Sequence, residues 1–366
     1  MSVLFFLPWV ANPEPVQLGS MQLVPYERGQ EPGTIHGISQ ETIDAILGSY
    51  GDPDFFPSSG TSKHVMGATL ITWDDDVVGL DLSKDRIVSR LEQANYVAFA
   101  ALARRCFCNN SDYCNADGYQ VIAQVFTAEK PGAASITTRR RDGQGLHYVG
   151  SASVPRFIRP HHVDSGLTLV VDEALVRALL ALPSGDLKGR IDEAIEVFLR
   201  ANTDSPAMSE RAEMVFMRVA FETLLDATHE TSNLRKRFTM HFSEEFPDPP
   251  KWSDGVFTEA LWRQRWPNNV NRPLDAWVQD FCNARNSAAH GPCGAKAPSL
   301  WQRHNHLLFS SWLFPLMVKK ALEDEGLYQL NDEDKAARQG AEAFLAHDLL
   351  SYASEEHQEF WWNRVE

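Results

Sequence analysis

The sequence has no apolar run long enough to cross a membrane. Its longest stretches, such as 307–318, are broken by polar residues and fall short of the roughly 20 that a spanning helix needs. Cysteine is scarce and odd in number, five in 366 residues. That excludes a disulfide scaffold and suits a reducing, cytoplasmic setting. Basic charge is also short: 34 Lys and Arg stand against 49 Asp and Glu, a net of −15. A protein that coats nucleic acid needs the opposite balance. There is no internal repeat and no low-complexity segment. The start, Met1-Ser-Val-Leu-Phe-Phe-Leu-Pro, lacks the basic region of a signal peptide and reads as a strand.

What is present is ordinary globular material. Hydrophobic residues make up 43% and charged residues 23%, enough to bury a sizeable core. The length suits about two domains of roughly 100–200 residues each. The negative charge is uneven. Residues 323–366 hold 12 acidic and 3 basic groups, a net of −9, leaving −6 for the other 322 residues. A local basic cleft, and therefore an RNA substrate, stays open.

The chain reads as α+β, an N-terminal mixed α/β domain followed by an all-α bundle. Residues 1–166 carry short strand-like runs at 3–7, 16–25, 67–73 and 119–126, rich in β-branched and aromatic residues. A hairpin is expected from 134–139 and 145–149 around Asp142-Gly143, and one helix from 83–105. From 167 to 330 helices follow one another, at 172–182 with Asp172 as cap, 186–201, 209–227, 233–246, 273–290 and 299–325. In the third of these Ala212, Val215, Phe216, Val219, Ala220, Phe221, Leu224 and Leu225 form a broad apolar stripe. Pro273 suits a first helical turn, Gly291-Pro292 a stop, and Pro315 a kink. Short loops between amphipathic helices indicate a bundle. Residues 331–366 read as an acidic helical tail. Its end, His357-Gln-Glu-Phe-Trp-Trp362, holds a Trp pair that should dock back on the protein or a partner.

The chemistry concentrates at Asn283-Ala-Arg-Asn-Ser-Ala-Ala-His-Gly. Arg285 offers a planar, permanently charged fork matched to phosphate. His290 is the residue type that gains and loses a proton near neutrality. Together they suffice in principle for RNA cleavage without metal. The His acts on the 2′-hydroxyl or the leaving oxygen, and the Arg holds the phosphorane charge. Five positions apart on an ideal helix, the two diverge by about 140°, so a two-fold dimer would join two such pairs in one cleft. The same residues also fit a structural role, with Arg285 paired to an acid and His290 favoured by the helix dipole.

The segment Arg285-Asn286-Ser-Ala-Ala-His290 resembles the motif of HEPN (higher eukaryotes and prokaryotes nucleotide-binding) ribonucleases. Val219-Ala-Phe-Glu-Thr-Leu-Leu and the helix at 194–202 resemble, more specifically, the ApeA-like HEPN group. The resemblance covers about 186–325. It implies a homodimeric, metal-independent endoribonuclease of prokaryotic anti-phage defence, toxin-like, without a cofactor. Its products would end in 2′,3′-cyclic phosphate, and its partners would be RNA, with tRNA as a candidate, and a phage-derived or protein trigger. Arg285 would stabilise phosphate, His290 serve as general base or acid, and Asn286 position groups. Glu222 would support them, as an acid bonded to Arg285. Non-catalytic HEPN modules that dimerise and recruit a partner also exist, and the motif alone does not separate the two.

Other features have a binding and a plain structural reading. Arg235-Lys236-Arg237, Arg263, Arg265 and Arg272, interleaved with Trp252, Trp262 and Trp266, suit phosphate contact and base stacking; the plain reading is a solvated face beside core tryptophans. Arg303, His304 and His306, at the start of the closing helix, could flank the cleft but read first as solvated surface residues. Cys106, Cys108 and Cys114 lack an obvious fourth zinc ligand. Asp74-Asp75-Asp76 reads as a solvated turn, as does Arg139-Arg140-Arg141. His161 and His162 have no ligand partner at metal-binding spacing. No metal is expected.

Overall fold

Strand β1 (Ser2–Leu7) is apolar from Val3 onward because both of its faces are covered. The computed structural model of the protein describes residues 2–30, 38–53, 63–74, 84–104, 115–127, 134–139, 145–150, 157–164, 166–246, 270–290 and 301–346. The chain is mixed α+β, with a sheet in the N-terminal part and helices in the C-terminal part. It forms two compact units, Met1–Ala181 and Leu182–Glu366.

In the first unit β1 pairs antiparallel with β7 (Gly67–Trp73) and β8 (Ile122–Phe126), placing Phe5 opposite both Ile71 and Ala123. β4 (Met21–Glu27) and β3 (Val16–Leu18) extend the sheet in the order β3-β4-β7-β1-β8. The run 16–25 is therefore a hairpin, not one strand. Gly19 turns it with φ 65°, a conformation glycine adopts at little cost. On one face Leu4, Phe6, Val24 and Leu70 join Ile43, Ile46 and Leu47 of α1 (Gln40–Leu47). On the other, Phe5 meets Trp73 edge-on at 5.1 Å. There Arg90 of α2 (Lys84–Ala103) lies 4.7 Å over the Trp73 ring.

Smaller pairings surround this sheet. β5 (Tyr50–Asp52) lies between β6 (Lys63–His64) and β11 (Phe157–Ile158), and β2 (Val10–Ala11) meets β12 (Leu167–Thr168). The expected hairpin forms from β9 (Ala134–Arg139) and β10 (Gly145–Gly150), with Arg139 opposite Gly145. The expected domain boundary at 166 differs from the observed one at 181/182. Helix α3 (Glu173–Ala181) belongs with the sheet because its start and face are tied there. Asp172 caps it, accepting from the Leu175 N–H at 3.1 Å. The Asp172 N–H reaches the Ala100 carbonyl at 3.2 Å, and Arg177 donates to the Gln17 carbonyl at 3.0 Å.

The second unit is built from α4 (Asp186–Ala201), α5 (Glu210–Leu224), α6 (Thr231–His241), α7 (Pro273–His290), α8 (Arg303–Asp324) and α9 (Asp332–Ala346). Ser209 caps α5, its hydroxyl accepting from the Ala212 N–H. The buried face of α5 is rotated from the expected stripe. Met214, Met217, Phe221 and Leu224 face inward together with Glu213 and Arg218, while Phe216 stays 38% exposed. Phe221 is the aromatic centre, 5.0 Å from Phe238, 5.6 Å from Phe314 and 5.9 Å from Phe281. Helix α8 continues through Pro315.

The start of the acidic tail is an integral part of the bundle. Lys319 of α8 donates to Asp334 of α9 at 2.6 Å, and the Tyr328 hydroxyl donates to the same carboxylate at 3.1 Å. Arg338 is fully buried, paired with Glu245 and donating to the His241 carbonyl at 2.8 Å. Its charge lies 4.3 Å over the Phe242 ring. The aromatic cluster 357–362 lies outside the described residues.

Two expectations follow for stability. Phe221→Ala should cost the protein about 3–5 kcal/mol, the usual penalty for emptying an aromatic core position, read as a lower denaturant midpoint of bundle unfolding. His241 and Glu342 should tilt the pH profile in opposite senses. Burial, with the Arg338 and Lys320 charges, lowers His241 to about 3. The unfolded histidine then binds a proton that the folded one refuses, so this stability is full above about pH 6.5 and is lost as pH falls towards 3. Burial outweighs the Arg272 guanidinium and raises Glu342 to about 7. Its contribution is therefore full below about pH 4.5 and lost as pH rises through 7. Urea midpoints from pH 3 to 8 should fall less steeply on the acid side in His241→Gln, and less steeply from 4.5 to 7 in Glu342→Gln.

Candidate active site at the end of the central bundle helix

Helix α7 is buried almost all round over most of its length, as expected of an apolar helix at a bundle centre. From Pro273 to Ala284 only Gln279 and Asn283 are partly exposed. Trp277 lies 4.7 Å from Phe309 and stacks on Phe281 at 5.2 Å, which locks the helix in place. Its exposed polar residues lie where the helix emerges. Arg285 is half-buried, and Asn286 and His290 are exposed.

Helix α5 holds that emerging end at two points. The first is Arg218, whose side chain is only 2% exposed. Its Nε donates to Glu222 at 2.7 Å, one turn along the same helix. Its Nη1 donates to the Asn286 Oδ1 at 3.2 Å, and its Nη2 to the His229 carbonyl. A buried guanidinium is tolerable only with such a carboxylate and carbonyl oxygens around it. The second point is Arg211, which donates to the Ala288 carbonyl at 2.6 Å. That oxygen belongs to the last turn of α7, where carbonyls have no partner within the helix.

Arg285 donates from Nη1 to the same Asn286 Oδ1 at 3.2 Å, and its Nε is buried without a hydrogen-bond partner. It makes no ion pair with any described residue. The carboxylate expected to meet it, Glu222, is bonded to Arg218 instead. The arrangement leaves a cation and an amide at a surface, with an exposed imidazole about five residues further along the helix. Such groups receive an oxyanion and exchange protons. The spacing is too long, at about 7.5 Å of rise and 140° of turn, for both ends to act on one atom from the same copy.

The other basic residues separate by burial. Arg235, expected at an RNA surface, is 7% exposed and donates to Gln279 of α7 at 2.9 Å. It belongs to the seam between α6 and α7. Arg272 is likewise internal, donating to the Phe246 carbonyl at 2.7 Å and standing 3.2 Å from Glu342. Lys236 is exposed, and Arg237 is exposed in part, 3.7 Å from Asp226. Arg263, Arg265 and the three neighbouring tryptophans lie outside the described residues.

His306, expected at the surface, is 0% exposed, and its Nε2 meets the buried Asp280 carboxylate at 3.1 Å. The same carboxylate oxygen accepts the Trp301 N–H at 3.1 Å. His304 is exposed and Arg303 partly so.

Elsewhere, His162 has an acidic partner that local spacing does not reveal, Asp117 at 2.8 Å and 45 positions away. Asp74 accepts from the Gln17 side chain at 3.1 Å. Asp75, Asp76, Arg140, Arg141, Cys106, Cys108 and Cys114 lie outside the described residues. Among the described residues no group of three His, Cys, Asp or Glu could hold a metal ion. None of their helices is long and apolar enough to cross a membrane. No family model, curated protein or solved structure matches the chain.

Sequence reasoning missed Arg218 and Arg211. A signal for Arg218 was available: an Arg four residues before a Glu, set inside an apolar helix face, is a pair of the i,i+4 kind. Arg218→Met should destabilise the bundle by about 3–5 kcal/mol, because it strands the Glu222 charge in a largely buried place. Arg218→Met with Glu222→Gln should recover part of that loss. Equilibrium unfolding of the parent, the two single variants and the double gives the coupling directly.

Proposed function

We propose that the protein is a metal-independent endoribonuclease of the HEPN kind, working as a homodimer through its helical bundle. One observation carries the reading. Arg285, Asn286 and His290 emerge together at the solvent end of an otherwise buried helix, and Arg285 has no carboxylate among the described residues. The plain structural alternative needs such a carboxylate, and the one the sequence offered, Glu222, is committed to Arg218.

In this mechanism His290 takes the proton from a ribose 2′-hydroxyl. The 2′-oxygen bonds to the adjacent phosphorus, the bond from phosphorus to the 5′-oxygen breaks, and the leaving oxygen receives a proton from the second His290 of the dimer. The products are a 2′,3′-cyclic phosphate and a 5′-hydroxyl. Arg285 offsets the charge that grows on the phosphoryl oxygens as the 2′-oxygen attacks. Glu222 acts only through Arg218. The overall charge of −15 means that RNA is gripped locally, with Lys236 and Arg237 as exposed cations on α6. The setting is a toxin-like effector of anti-phage defence in the cytoplasm, acting on RNA such as tRNA and released by a phage-derived or protein trigger.

Purified protein incubated with total tRNA and a labelled RNA should produce cyclic-phosphate ends at equal rates with and without EDTA. His290→Ala should lower cleavage by about 10²–10⁴-fold, the value of one lost proton transfer, while leaving the dimer intact by light scattering. Cleavage by His290→Ala at the parental rate would remove His290 from the mechanism. Loss of parental cleavage in EDTA would move the chemistry to a metal. A parent that cuts no RNA even in phage-infected cells would leave a dimeric scaffold.

A further inference from the structure

Asn286 is exposed, yet its amide oxygen is held from two sides. Oδ1 accepts from the Arg218 Nη1 and from the Arg285 Nη1, each at 3.2 Å. A guanidinium carries donors only, so the amide nitrogen cannot face either arginine. The orientation of this side chain is set by chemistry, and its NH2 group turns away from both. The fork that sets it is held in turn: Arg218 is 2% exposed, anchored by Glu222 at 2.7 Å and by the His229 carbonyl.

From this we infer that Asn286 donates its amide N–H to a non-bridging phosphodiester oxygen of bound RNA, beside the Arg285 cation, and that Arg218 is the positioning residue that presents it. The inference rests on the ribonuclease reading for the identity of the ligand. The geometry gives the buried arginine at this point of α5 a task. A hydrophobic residue would fill the space, but it would leave the amide oxygen held by Arg285 alone. A lysine would satisfy Glu222 but lacks the planar fork that reaches two more acceptors in fixed directions.

Asn286→Asp separates positioning from mere support. Aspartate has nearly the same shape and gives both arginines a better acceptor, so the fold keeps its contacts, while an acceptor replaces the outward donor. The measurement is binding of a fluorescent 2′-O-methyl oligoribonucleotide, which carries the phosphodiester but cannot react. Anisotropy gives the affinity, and thermal unfolding of each protein is recorded alongside. Asn286→Asp should unfold at or above the parental temperature and bind on the order of 10-fold or more weakly. Arg218→Lys should weaken binding in the parent and have little further effect in the Asn286→Asp background.

Equal binding by Asn286→Asp and parent overturns the inference, as does a parent that does not bind the oligonucleotide. An Arg218→Lys loss of the same size in both backgrounds overturns the positioning role. Cleavage of unmodified RNA, run in parallel, tests the underlying reading separately. Binding that depends on Asn286 without any parental cleavage keeps the anion site and removes the nuclease. Parental cleavage with Asn286→Asp binding unchanged does the reverse.

Discussion

A guanidinium taken out of water has to find acceptors for its donors, and Arg218 finds them on three separate segments. Glu222 lies on its own helix, His229 supplies a carbonyl from the connection after it, and Asn286 comes from the end of α7. Meeting these needs together fixes the rotation of α5 about its axis. Arg218 and Glu213 turn inward with Met214 and Phe221, and Phe216 is left outside. The same contacts fix how far α7 projects and which way its polar end faces. Arg211 adds a second hold on that end through the Ala288 carbonyl.

The rest of the bundle repeats the pattern at other seams. Lys319 pairs with Asp334, Arg338 with Glu245, Arg272 with Glu342, and His306 with Asp280. Each is a buried or nearly buried charge or imidazole bonded to a group distant in sequence. Such pairs add little net stability over hydrophobic residues of the same size, but a slipped register would leave one member unpaired at a cost of several kcal/mol. They therefore act as alignment marks between helices whose aromatic surfaces, Phe221, Phe238, Trp277, Phe281 and Phe314, would tolerate other packings. The first unit uses different means. Its sheet is covered on both faces, by α1 on one side and α2 on the other, and the register follows from the strand ladder.

Much of this was legible in the sequence. The class, the bounds of α4 and α7, the Asp172 cap and the 134–150 hairpin depend on signals within a few positions: apolar spacing, a capping side chain, an Asp-Gly turn. So does the placing of Arg285, Asn286 and His290 on one helix end. One turn escapes this reading. Residues 16–25 read as a single strand-like run, although Gly19-Ser20 inside them is a two-residue turn signal, and the pairing of Leu18 with Met21 closes the hairpin there.

The sequence by itself determined the helices of the second unit and which side chains share a helix turn, because those follow from backbone geometry and neighbours in the chain; in the first unit it missed α1. Only the tertiary structure decided which charges are internal. Arg235, Arg272, Arg338 and His306 are indistinguishable in sequence from Lys236 and His304, yet the first four are buried and the last two exposed. The reason is that a long cationic or imidazole side chain is stable in either place. What selects between them is an acceptor supplied by another helix, and that acceptor is brought near only when the chain has folded.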